Sequence, residues 1–208
     1  MSTNFPKSER GDPTWEIAAL FPDQGYWSEY DYLHLDAGRL IEFDHGKLEV
    51  HAMPTELHQA IVFFLCLQLR NFAEPLNLGA AFVAPLRVRL WEGKFREPDV
   101  LFMLKKNRER RSQRVWDGAD LVIEVVSEDD ARRDLIEKRE EYAQAGIPEY
   151  WIVDPRDRSI TVLTLNAADN IYFQSGRYTD GQEAGSVLLA GFSVGVQSVF
   201  DRPEISTE

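Results

Sequence analysis

The sequence predicts a single α/β domain: a mixed β-sheet flanked by helices, with a β-hairpin before it and a β extension after it. Three observations carry this. Two short apolar runs, Leu121 to Val126 (broken only by Glu124) and Tyr150 to Val153, enclose a stretch of helical composition. That is a βαβ unit, whose strands run parallel through a right-handed crossover. Next, His58, Ile61, Val62, Leu65, Leu69 and Phe72 recur at helical spacing and define one face. Last, Arg39 to Glu42 and Lys47 to His51 flank the turn signal Asp44-His45-Gly46, as in a hairpin.

In order along the chain, residues 1–14 are polar, contain Pro6 and Pro13, and read as a flexible arm ahead of a domain over residues 15–200. Residues 15–38 mix aromatics and acids with weak periodicity, so they are ordered but poorly specified. After the hairpin, Met53-Pro54 breaks the strand and Thr55 supplies an N-cap for a helix to about Phe72. Ala81 to Trp91 is β-rich, Glu92-Gly93-Lys94 is a turn, and Pro98 to Leu104 is the next strand. Asp129 to Ala145 forms the crossover helix, stopped by Gly146 with Pro148 just beyond. Ser159 to Leu165 and Asn170 to Tyr178 add antiparallel strands. Val187 to Leu189 and Val194 to Val196 close the fold before a polar tail at residues 201–208.

The bulk composition narrows the class of function. At 208 residues with 44% hydrophobic and 12% aromatic side chains, the chain can bury one ample core. Its one cysteine, Cys66, excludes an internal disulfide, lies in an apolar stretch and suits a reducing compartment. That stretch, Ile61 to Leu69, is too short to cross a membrane and contains Gln68. Residues 1–7 lack the apolar segment of a signal peptide, so a cytoplasmic protein is expected. The net charge of -12 disfavours a broad nucleic-acid surface. Charge is uneven, however. Lys105, Lys106, Arg108, Arg110, Arg111 and Arg114 face Glu109 alone in their segment, leaving about -17 for the remainder. The segment reads either as a solvated loop or as a phosphate-contacting arm with Trp116 for stacking.

Glu124 is the strongest chemical signal. A carboxylate inside an otherwise apolar central strand is costly to desolvate unless it meets a cation, a metal or hydrogen-bond donors. Asp99 opens the preceding strand, and Leu135, Lys138 and Tyr142 share one face of the crossover helix. Leu135 and Tyr142 belong in the core, so Lys138 is aimed at the sheet. Two carboxylates on neighbouring strands form a hard-oxygen site for Mg²⁺ or Mn²⁺, to which the backbone carbonyl of Val125 can add a ligand. An ammonium beside them activates a bound water or stabilises an oxyanion. These parts suit phosphodiester hydrolysis. The structural alternatives are a turn-capping Asp99, a buried ion pair at Glu124, and a surface pair of Lys138 with Asp134; Arg139 is the other basic residue that could face inward.

The ordered series also resembles a known family. Arg96-Glu97-Pro98-Asp99-Val100, Ile123-Glu124-Val125-Val126-Ser127, Arg133-Asp134, Lys138, Tyr142 and Gly146 to Pro155 resemble the Uma-type restriction-endonuclease-like proteins, within the PD-(D/E)XK nuclease superfamily. The resemblance covers roughly residues 28–165 and includes Glu42 to Leu48 and His58. It implies a restriction-endonuclease-like fold and metal-dependent cleavage of DNA. Asp99 and Glu124 would hold the metal and Lys138 would position the attacking water. The superfamily lysine usually stands two residues after the glutamate, where this chain has Val126; the resemblance moves that role to Lys138. His58 and Glu42 are implied accessory residues, with Glu56 weaker. Ser127 and Asp134 read as packing residues, Tyr142 and Trp151 as core aromatics. Homodimerisation would suit the cutting of two strands. The rival functions are a catalytically inactive binding or interaction protein of the same fold, and a metal-dependent hydrolase acting on a nucleotide or RNA.

Overall fold

Helix and strand periods along the chain build two mixed sheets with helices packed against them. The computed structural model describes residues 20–35, 38–127 and 133–201. The expected N-terminal arm, the start of the expected crossover helix and nearly all of the polar tail lie outside them.

The main sheet has six strands in the order β11-β10-β9-β8-β6-β3: β3 (Gly79–Val83), β6 (Val100–Leu104), β8 (Leu121–Val125), β9 (Glu149–Asp154), β10 (Ser159–Asn166) and β11 (Ile171–Tyr178). The βαβ unit forms as expected, with β8 parallel to β9 and Glu124 opposite Ile152. The other pairings in this sheet are antiparallel. Helix α2 (Glu56–Ala73) begins at Thr55, whose hydroxyl accepts the amide of His58, as the sequence predicts. Its buried stripe of Ile61, Leu65 and Leu69 packs with Leu121, Ile123 and Val125 on one face of the sheet. Val122 and Val126 point to the opposite face, into a cluster with Tyr142 and Ile147. Strand alternation therefore places Glu124 on the Tyr142 side.

A second sheet packs on that side, in the order β2-β1-β5-β4-β7. It contains the hairpin β1 (Ile41–Asp44) and β2 (Lys47–Val50), together with β4 (Arg87–Trp91), β5 (Lys94–Arg96) and β7 (Val115–Asp117). Two of its members differ from the sequence reading. Lys94 is the start of β5 rather than part of a turn, and β7 is a further strand beyond those expected. The short helix α1 (Glu29–His34), with a Ser28–Asp31 capping box, seats Tyr32 against Phe43 and Phe95 of this sheet. The β-rich stretch Ala81 to Trp91 forms the end of β3 and all of β4, which lie in different sheets.

Of the expected crossover helix, the described part begins at residue 133. A π-helical turn, Arg133–Glu137, leads into α3 (Lys138–Gln144). It stops as predicted at Gly146, whose φ of +73° is the left-handed conformation that a glycine tolerates without strain. At the C-terminal end the closing strands are β12 (Glu183–Gly185) and β13 (Ser193–Gly195), followed by α4 (Val196–Phe200). Val187 to Leu189 is not a strand. The Val187 and Leu188 amides instead donate to the buried Glu149 carboxylate.

Candidate active site at the mouth of the central strands

Glu124 stands near the end of β8 and is 2% exposed. Each of its oxygens has a partner on α3. Lys138 Nζ lies 2.9 Å from Oε2, and the Tyr142 hydroxyl donates to Oε1. Lys138 and Tyr142 are one helical turn apart, so a single helix face grips both oxygens of one carboxylate. Lys138 is itself only 6% exposed, as its spacing from Leu135 and Tyr142 implied. Arg139, the other basic residue considered for this role, donates instead to the Tyr172 carbonyl. Burial, and then the charge of Glu124, push the Tyr142 phenol well above its ordinary pKa. It therefore stays protonated and remains a donor. The sequence reading treated Tyr142 as a core aromatic only; the signal that could have found it was the four-residue spacing from Lys138.

Asp99 lies just outside β6. The register Val100 opposite Ile123, extended by one residue, sets Asp99 across from Glu124. Its Oδ2 accepts from the Val125 amide at 2.8 Å and lies 3.2 Å from His58 Nε2. His58 sits in the first turn of α2. Burial lowers its pKa, but Asp99, then Glu124 and the Val125 carbonyl, outweigh this and raise it above the ordinary imidazole value. Thus Asp99, His58, the Val125 backbone and Glu124 meet at one end of the main sheet.

Glu42 approaches from the second sheet and is 1% exposed. Burial alone would raise its pKa. Lys138, His51 and Arg96 together hold the carboxyl well below the usual range. Lys138 thus lies within electrostatic reach of two buried carboxylates. Arg96 is the hub of this side. Its guanidinium reaches Glu42 and Glu49, each at 2.6 Å, and grips Glu141 of α3 through two bonds of 2.7 Å. Glu42 Oε1 also accepts from the Glu97 amide, so the hub positions the backbone that leads into Pro98-Asp99. Lys94 bridges Asp44 and Glu141. The hub was not legible in the sequence, because its members come from β1, β2, β5 and α3. Glu97 turns away from the site, with its carboxylate accepting from the Ile41 amide.

Among the described residues, no three His, Cys, Asp or Glu side chains gather tightly enough to hold an ion by themselves. The expected donor set is two carboxylates and one backbone carbonyl. Asp99, Glu124 and Val125 stand together with the hard oxygens that Mg²⁺ or Mn²⁺ prefers, and such ions keep several waters of their own.

The basic segment divides. Lys105–Arg110 is a 3₁₀ turn, in which Arg110 is committed inward to the Asp117 carbonyl and toward Asp120. Lys105, Lys106, Arg108 and Arg114 are exposed. The guanidinium of Arg111 lies 4.8 Å from the centre of the Trp116 ring. Trp116 is 1% exposed, which corrects its expected use as a stacking platform; Arg111 covers it.

This architecture, with an acidic pair at one end of a mixed sheet and a helical lysine beside it, is that of the restriction-endonuclease-like class. The family model described as "Uma2: Putative restriction endonuclease" matches residues 27–197, and the chain belongs to that family. None of the curated proteins compared with the chain matches it. Among solved structures, the chain is similar to a protein from Anabaena variabilis titled a "putative nuclease belonging to DUF820". The TM-score is 0.70 at 16% identity, covering 84% of this chain and 97% of that one. At that identity the likeness shows the fold. No described helix is long and apolar enough to cross a membrane.

Proposed function

We propose that the protein hydrolyses DNA phosphodiester bonds with a divalent cation, Mg²⁺ or Mn²⁺, held by Asp99, Glu124 and the Val125 carbonyl. The observation that carries this is the buried Lys138–Glu124 pair set across from Asp99. When bound, the ion would supply a Lewis acid for the phosphate and a water of lowered pKa. The chain's own residues do the rest. Lys138 keeps Glu124 ionised and offers its ammonium to the attacking water and to the charge developing on phosphate. Tyr142 fixes the orientation of Glu124, and His58 fixes that of Asp99. Glu42 holds Lys138 from the far side and, through Arg96, ties α3 to the second sheet. Family membership supports the nuclease class; DNA as substrate, metal dependence and these residue roles are our proposal.

A second reading has one specific observation in its favour. Lys138 and Tyr142 already satisfy both oxygens of Glu124, the arrangement a non-catalytic binding protein of this fold would need. Calorimetric titration with Mn²⁺ separates the two. The nuclease reading expects binding that Asp99→Asn or Glu124→Gln weakens at least about tenfold. A protein that takes up no Mn²⁺, or takes it up equally well in both variants, belongs to the second reading.

A further inference from the structure

A groove of about 1360 Å³ opens next to this site, between the end of β3, the residues Leu35 and Arg39 and the basic turn. Arg39, Arg108, Arg111 and Arg114 line it, opposed by Glu97 and Glu109. Among the described residues, Arg39, Arg108 and Arg114 meet no carboxylate. That is unusual in a chain with 35 acidic and 23 basic residues, where a cation finds a partner easily. Phe82 also lines the groove and is 42% exposed. Its ring is held edge-on by Trp116, with centroids 5.5 Å apart, and Arg111 lies beside both. A rigid, half-exposed ring among guanidinium groups that meet no described carboxylate is a platform for a nucleobase flanked by seats for phosphate.

The groove leads to the acidic pair. Val83 is opposite Val100, and Val100 is opposite Ile123. The next residue along each strand is Ala84, Asp99 and Glu124, and the Ala84 amide donates to the Asp99 carbonyl. Phe82 therefore lies two strands across and two residues back from Glu124, about 12 Å away by ordinary sheet spacings.

We infer that this groove is the track for one unpaired nucleic-acid strand, with phosphates on Arg39, Arg108 and Arg114 and a base on Phe82. A duplex fits these features poorly, because its bases are already stacked on one another and cannot reach Phe82. It would also bring phosphates against a surface that carries about -17 outside the basic segment. Delivery of the strand to Asp99 and Glu124 rests on the nuclease reading; binding in the groove does not.

The test is fluorescence anisotropy in EDTA on Glu124→Gln protein. The probes are oligothymidylate and oligouridylate of about 15 nucleotides and a duplex of the same length. At least one single strand should bind about tenfold or more tighter than the duplex. Arg108→Ala with Arg114→Ala should weaken strand binding and flatten the log affinity against log salt slope by about 1.4, or 0.7 per phosphate contact. Phe82→Ala should weaken it by about 5- to 100-fold with the salt slope unchanged. These side chains lie at the groove surface, and circular dichroism confirms that each variant is folded. Equal or tighter duplex binding, or unchanged affinity in either the arginine or the phenylalanine variant, overturns the track. If the parent protein cuts DNA and the same groove substitutions, made with Glu124 in place, leave both binding and cutting unchanged, the track fails and the nuclease reading stands. Strand binding that depends on these residues without any cleavage upholds the track and removes the nuclease.

Discussion

Lys138 and Glu124 are opposite charges with almost no access to water, so removing Lys138 leaves the Glu124 carboxylate buried without that counter-charge. Breaking a buried pair from one side costs about 3–5 kcal/mol. Lys138→Ala should therefore lower urea stability by that order, whereas adding Glu124→Gln should recover part of the loss, since the orphaned charge is gone. Strictly additive losses in the double-mutant cycle would show that the two do not act as a pair. Tyr142→Phe removes one donor to the same carboxylate and should cost about 1.5–3 kcal/mol. Its expected signature is a drop in kcat larger than the change in KM, because Glu124 loses its orientation rather than its charge. A variant with parental stability and parental kcat would leave Tyr142 a core aromatic only.

At the scale of elements, the βαβ unit and α2 were legible because their signals are local: apolar period, an N-cap at Thr55 and a stop at Gly146. The inward aim of Lys138 followed from the same helical spacing. Strands β5 and β7 were not legible, since three residues cannot display an alternation, and the pairings of β5 with β1 and of β7 with β4 span long sequence separations. The Arg96 hub escaped for the same reason. Arg96 sits 2% exposed among three carboxylates drawn from three elements, and only the folded chain brings them together. The hub makes a prediction at this scale. Arg96 joins α3 to the second sheet, so Arg96→Met should leave Glu141 without its main cation and take from Glu42 one of its partners. Hydrogen exchange should quicken in α3 and in β1 together; faster exchange in only one of them would mean that the hub does not couple the layers.

For the whole molecule, acid is the informative stress. Burial raises the Glu141 pKa, but Arg96 and Lys94 outweigh it and hold the carboxyl below its ordinary value of 4.5. Glu42 is held lower still. A carboxyl whose folded pKa lies below its unfolded value stabilises the fold above that unfolded value, and the contribution is lost as pH falls through the folded one. Urea midpoints should accordingly fall steadily below about pH 5, and Glu141→Gln should start lower and fall less steeply. An identical pH slope in the variant would remove Glu141 from the cause. The central claim concerns chemistry, and cleavage tests it most directly: plasmid and single-stranded DNA incubated with Mg²⁺ or Mn²⁺, using parent, Glu124→Gln and Lys138→Met proteins that circular dichroism shows to be folded. The parent should cut and each variant should lose about 100-fold or more in rate. A parent as silent as its variants on every substrate, or variants that cut as fast as the parent, would contradict it.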